Sequence, residues 1–154
     1  KKFVSNKNKN IQIHPYRYKH VDSRTVNKFI KTYNENQTKY FFLHDQDSNN
    51  NCVLKLESEL RNTYHITDKK LIVVKKEIES WYISGVTKLH STKNMNYSEL
   101  NYNKVNKISF EKIMQKSFKK PDCYGLACQN YDLKGARRRN DSLNYFLKRL
   151  EDII

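Results

Sequence analysis

Two short apolar runs, each cut off by carboxylates, constrain this chain more than any other feature. Tyr40-Phe41-Phe42-Leu43 ends in His44-Asp45-Gln46-Asp47, and Leu71-Ile72-Val73-Val74 ends in Lys75-Lys76-Glu77-Ile78-Glu79. Short continuous apolar runs bounded by polar clusters, the second rich in β-branched residues, are the pattern of strands covered on both faces in a parallel sheet. Parallel neighbours need a crossover connection. The stretch between the runs supplies it, because Val53, Leu56 and Leu60 fall at helical spacing and predict a helix from about Asn50 to Arg61.

The rest of the chain extends the alternation. Ile11-Gln12-Ile13-His14 alternates apolar and polar before Pro15 and predicts a short strand near a sheet edge. Asp22-Ser23 is a helix N-cap signal, and Val26, Phe29, Ile30 and Tyr33 recur at i, i+3, i+4 and i+7, which predicts a helix from about Ser23 to Asn34. After the second run, Ile78, Trp81, Tyr82 and Leu89 form the apolar stripe of another helix, with Trp81 in the core. Residues 91–107 are polar and Asn-rich and read as a loop. Phe110, Ile113 and Met114 begin a short helix, and Leu143, Phe146, Leu147 and Leu150 mark a closing helix capped near Asp141. The expected architecture is a single α/β domain over 1–154: a parallel sheet of three to four strands flanked by helices over 11–90, then a loop and helical C-terminal part over 91–154.

Composition bears on partners. Thirty Lys plus Arg against sixteen Asp plus Glu leave a net charge of +14, enough to draw polyanions by long-range field, so nucleic acid is the expected partner. A biased source composition that enriches Lys and Asn is the plainer account of the same excess. Three glycines, two prolines and eleven tyrosines argue for an ordered chain. No apolar run approaches the roughly 20 residues a bilayer span needs, and Lys1 to Asn10 has no apolar centre, so no membrane and a cytoplasmic location are expected. Cys52, Cys123 and Cys128 are an odd set that fits a reducing compartment; Cys123-x4-Cys128 lacks the further ligands of a zinc site.

In an open parallel sheet, ligands bind beyond the carboxyl ends of the strands. Asp45 and Asp47 follow one run and Glu77 and Glu79 the other, so these carboxylates are expected to converge on one edge. Crowded like charges raise one another's pKa and cost several kcal/mol unless a cation neutralises them. Oxygen ligands, few in number and leaving room for water and a phosphate, point to magnesium or manganese. The structural alternative is an Asx-type turn at Asp45-Gln46-Asp47-Ser48 and first-turn helix carboxylates at Glu77 and Glu79.

Asp45-Gln46-Asp47-Ser48 with Cys52 and Lys55 downstream, Glu77-Ile78-Glu79-Ser80-Trp81-Tyr82, and Lys134-Gly135-Ala136-Arg137 resemble a small bacterial family of TOPRIM-type domains of uncharacterised function. The likeness runs from about Phe41 to the C-terminus, and more distantly the chain is similar to the TOPRIM nucleases of phage-defence systems that work beside an ATPase. The resemblance implies a four-stranded parallel sheet and phosphodiester cleavage. It also implies a magnesium site on Asp45 and Asp47 completed by Glu79 or Glu77, an ATPase partner, and Trp81 packed beneath. TOPRIM domains carry a glutamate at the end of their first strand, and no strand ending in Glu precedes Ile11. The expectation is that this strand lies upstream of Lys1; a degenerate member with weakened catalysis is the alternative.

Supporting roles fall to basic and polar groups. Lys134 is expected to assist catalysis, and Arg137, Arg138, Arg139 and Lys55 to contact nucleic acid, unless they line a solvated basic surface. His44 abuts the site, though a histidine at a strand end is more often structural. Tyrosines that could stack on unpaired bases are a weak signal, since most suit amphipathic helix faces. The rival to a nuclease is a non-catalytic basic module that binds nucleic acid or a partner protein. Either could form an oligomer.

Overall fold

The computed structural model describes residues 14–47, 52–87, 100–118 and 122–152. The strand expected from Ile11 therefore falls outside the described residues except for His14, as do Leu89 and most of the 91–107 loop.

Helix α1 (Ser23–Glu35) begins where the sequence signals it, with the Asp22 side chain accepting from the Thr25 N–H at 3.0 Å. Strand β1 (Phe42–Asp45) leads through α2 (Val53–Tyr64) into β2 (Leu71–Val74). The two strands pair in parallel with Phe42 opposite Leu71 and Asp45 opposite Val74. The ladder continues past the strand end, where the Gln46 N–H donates to the Val74 carbonyl at 3.0 Å. Strand β1 thus sits two residues later than the apolar run that predicts it, and His44 and Asp45 belong to the strand. The reason is pairing: an eligible partner residue on β2 extends the ladder regardless of polarity.

The described residues hold this two-stranded parallel sheet and seven α-helices, a mixed α/β architecture. One sheet face carries Phe42, Leu71 and Val73 against Val26, Ile30, Leu56 and Leu60 of α1 and α2. The other carries Ile72 and Val74 against Trp81 of α3 (Glu79–Gly85), Ala136 of α6 (Leu133–Arg139) and Leu143 and Leu147 of α7 (Asp141–Glu151). Alternation along β2 sends successive side chains to opposite faces, so both layers need apolar residues, and all four are buried. A third cluster lies under α3, where Ile83 meets Phe110, Ile113 and Met114 of α4 (Lys107–Phe118) and Cys123 and Ala127 of α5 (Cys123–Gln129). Cys123 is thus a core thiol and Cys128 is exposed, an arrangement that offers zinc no pair. Gly85 is needed for close approach: a Cβ there would overlap the Tyr131 ring. Among the described residues, no helix is long and apolar enough to cross a membrane.

A buried polar network locks the turn after β2 to the start of α7. Asn140, fully buried, donates to Ser80 Oγ at 3.1 Å and accepts from Ser142 Oγ at 2.9 Å and from the Leu143 N–H at 3.0 Å. Ser142 Oγ in turn accepts from Trp81 Nε1 at 2.8 Å and from the Lys75 N–H at 3.2 Å. Ser80 Oγ donates to the Lys75 carbonyl at 3.1 Å. Every member finds a partner, the condition under which a buried network rigidifies a fold. The turn it fixes includes Lys76 in the left-handed region at φ 65°, a conformation a non-glycine residue holds only when its surroundings impose it.

Candidate functional site

The parallel pairing of β1 and β2 brings both charged terminations to the same edge of the sheet. Asp45 closes β1 with its side chain a quarter exposed, and Asp47 lies two residues on, more than half exposed, at φ 21°. Across the edge, the turn after β2 carries Glu77 and the first turn of α3 carries Glu79. Burial, and then the nearby charges of Asp47 and Glu79, push the Asp45 carboxyl up to about 6, against the pull of Lys19 and of the Ile78 N–H.

The positive charge that answers this cluster comes from a residue the sequence did not single out. Lys19, on the irregular segment before α1, places its Nζ 2.8 Å from Asp47 Oδ2 and 3.9 Å from Asp45 Oδ2. Its ammonium is held above the ordinary lysine range, first by the hydrogen bond to Asp47 and further by the charges of Asp47, Asp45 and Glu77. Tyr18 anchors that segment. Its ring packs on Phe42 at 4.3 Å and edge-on to Tyr64 at 5.7 Å, and its hydroxyl bonds His44 Nδ1. Burial, and then the nearby Tyr64, Asp45 and Asp47, raise the Tyr18 phenol, while burial and then Lys19 lower His44. The pair is thus a protonated phenol against a neutral imidazole, with the direction of the bond set by the imidazole tautomer.

Glu77 and Glu79 have protein partners of their own. Glu77 Oε2 accepts from the Lys107 N–H at 2.6 Å, at the start of α4, where a carboxylate suits the helix dipole. Glu79 is buried and its Oε1 accepts from the Tyr124 hydroxyl at 2.6 Å; burial and then this bond hold Tyr124 well above the usual phenol range. Tyr124 and Lys19 have no local sequence signal, because each reaches the edge from a distant element. Among the described residues, no three His, Cys, Asp or Glu side chains form a group able to hold a metal ion. The donor chemistry nonetheless fits magnesium, which commonly takes only one or two carboxylates and keeps waters and phosphate oxygens for the rest.

The basic residues are placed elsewhere. Arg137 makes an ion pair with Glu151 and donates to Asn144 at 3.3 Å; Arg139 donates to the Ser84 carbonyl at 3.0 Å with its guanidinium 5.6 Å from the Tyr102 ring centre. Lys134 and Arg138 are exposed on α6, and Lys55 is exposed on α2 with Glu59 3.9 Å away. Among the described residues, none of these five forms an ion pair with Asp45 or Asp47.

If Lys19 competes for the carboxylates, removing it frees them for a divalent ion. Lys19→Met is expected to tighten manganese binding up to about fivefold, the equivalent of the roughly 1 kcal/mol upper end for a surface ion pair. Calorimetric titration checks this, and weaker binding by the variant would contradict it.

The chain matches no protein-family model, no curated protein and no solved structure.

Proposed function

We propose that the edge formed by Asp45, Asp47, Glu77 and Glu79 binds magnesium or manganese and that the protein is a TOPRIM-class hydrolase cleaving phosphodiester bonds in nucleic acid. The observation that carries this reading is the Asp45 carboxyl, pushed up to about 6 by burial and then by the nearby Asp47 and Glu79, with the Lys19 ammonium 3.9 Å away. Crowded carboxylates gain from a divalent cation, and a chain of net charge +14 attracts the polyanion that would complete the coordination. Asp45 and Asp47 would hold the ion, with Glu79 or Glu77 completing the shell. The bound ion would supply charge neutralisation on the phosphate and an acidified water.

On this reading the chain's own groups do the positioning. Tyr18 and His44 fix the backbone around Asp45, and Tyr124 aims Glu79. His44, in the tautomer with its proton on Nε2, would donate to a phosphate oxygen, and Lys19, once released from Asp47, would offer an ammonium to the same anion. The three to four strands of a complete TOPRIM sheet and an ATPase partner in antiviral defence belong to the same proposal and rest on the resemblance.

The test incubates the protein with single-stranded DNA, duplex DNA and bulk transfer RNA, with magnesium, manganese or chelator, at low and moderate salt. Metal-dependent cleavage lost in Asp47→Asn and Glu79→Gln is the expected result, with and without a candidate ATPase. Binding without cleavage, unchanged or strengthened in Asp47→Asn, would favour the rival basic binding module, whose affinity for a polyanion improves as acid is removed.

A further inference from the structure

Tyr16, Phe29, Tyr33 and Tyr40 form a continuous row of rings on the outside of the α1 layer. Tyr16 meets Phe29 at 4.8 Å between ring centres, Phe29 meets Tyr33 at 6.4 Å and Tyr33 meets Tyr40 at 5.7 Å. The buried stripe of α1 is Val26 and Ile30; Tyr16 and Phe29 stand outside it, while Tyr33 and Tyr40 are half-buried and Tyr40 packs against the core. Tyr16 is 48% exposed and Phe29 38%, among the few large apolar side chains the fold leaves in water. A contiguous patch of that kind on an otherwise polar surface marks an interaction site more often than scattered single residues do.

The charge around the row is positive. The Lys70 ammonium stands 4.3 Å above the Tyr40 ring centre and is held there by Asn34 at 2.6 Å. Arg17, Lys28 and Lys39 adjoin the row in sequence, are exposed, and make no ion pair among the described residues. The one carboxylate of α1, Glu35, already faces Lys31 at 3.8 Å. The two exposed rings at the Tyr16 end, with these cations nearby, complement a ligand with flat π-faces and an anionic backbone.

We infer that this row is a stacking platform for single-stranded nucleic acid. Each base in a duplex has both faces covered by its neighbours, whereas unpaired bases offer theirs to aromatic side chains and leave phosphates for Lys and Arg. The platform needs no metal and does not rest on the chemistry proposed for the acidic edge. It does suggest a substrate class for that edge: Tyr16 and Lys19 are three residues apart, so their backbones lie within about 11 Å, and the Tyr16 end of the row sits on the segment that carries Lys19 to Asp47.

The experiment uses the whole chain in chelator, so that it is blind to cleavage and to metal. Fluorescence anisotropy with a labelled oligo-dT and oligo-U of about twelve nucleotides, and a duplex of the same length, is read across about 50 to 200 mM salt. The chain prefers the single strands, and Tyr16→Leu combined with Phe29→Leu weakens them by at least roughly five- to 150-fold, the range for a single lost base–aromatic stack, with the duplex affinity and the salt slope unchanged. Leucine keeps apolar bulk and removes the π-face, so a purely structural role would leave affinity alone. Should the double variant melt early, Phe29→Trp decides: its exposed indole is quenched by oligo-dT, against the buried background of the chain's one other tryptophan, Trp81. Affinity within twofold of wild type in the leucine variant, no quenching in Phe29→Trp, or equal preference for duplex overturns the platform, whatever the outcome at the acidic edge.

Discussion

Asp45→Asn is expected to make the metal-free protein more stable above neutral pH while removing its divalent-ion binding. A carboxyl raised from 3.8 to about 6 in the folded state binds its proton more tightly folded than unfolded. Between those two values the native state holds more protons than the unfolded one, so stability falls as pH rises through the window, the reverse of the usual paired aspartate. At 1.36 kcal/mol per unit, the loss is about 3 kcal/mol, complete above pH about 6 and absent below pH about 4. The asparagine is isosteric, keeps an oxygen for the Ile78 N–H and carries no charge, so it escapes the loss. Chemical denaturation at pH 8 and at pH 4 reads the effect: the variant gains up to about 3 kcal/mol at pH 8, and the gap closes at pH 4. An asparagine variant less stable than wild type at pH 8 would mean that the Lys19 contact outweighs burial and like-charge crowding. Manganese titration of the same sample then shows whether the destabilised carboxylate is the one that holds the ion, as expected where a functional group is kept at the expense of stability.

Trp81→Ala carries the largest structural effect, a loss of about 3 to 5 kcal/mol. The indole is buried, stacks on Phe146 at 5.1 Å between ring centres, and donates to Ser142 Oγ. Truncation leaves a cavity between β2, α3 and α7 and strips one donor from the network that holds the turn before Glu77. In a chain of this length such a loss lowers the melting temperature by roughly 10 to 15 °C. Trp81→Phe restores the ring contact without the N–H and should recover more than half of it. A melting temperature within about 2 °C of wild type for the alanine variant would show that the ring carries none of this packing.

The sequence alone determined the parts governed by neighbours along the chain. The Asp22 cap and the stripe of Val26 and Ile30 fix α1 almost to the residue, because capping and helical periodicity act within a turn or two. Leu71 to Val74 is a strand for an equally local reason, four consecutive apolar residues that only a two-faced cover can bury. The same pattern put acid at both strand ends, and parallel pairing then places that acid on one edge. Which groups answer it could not be read locally. Lys19 reaches Asp47 across 28 positions, Tyr124 reaches Glu79 across 45, and the Asn140 side chain reaches Ser80 across 60. Coulombic and hydrogen-bond energies depend on distance in space, and no spacing rule ranks one distant lysine or tyrosine above another. The same holds for the row of rings: Phe29 and Tyr33 read as an ordinary helix face until the fold sets Tyr16 against one end and Tyr40, beneath Lys70, against the other.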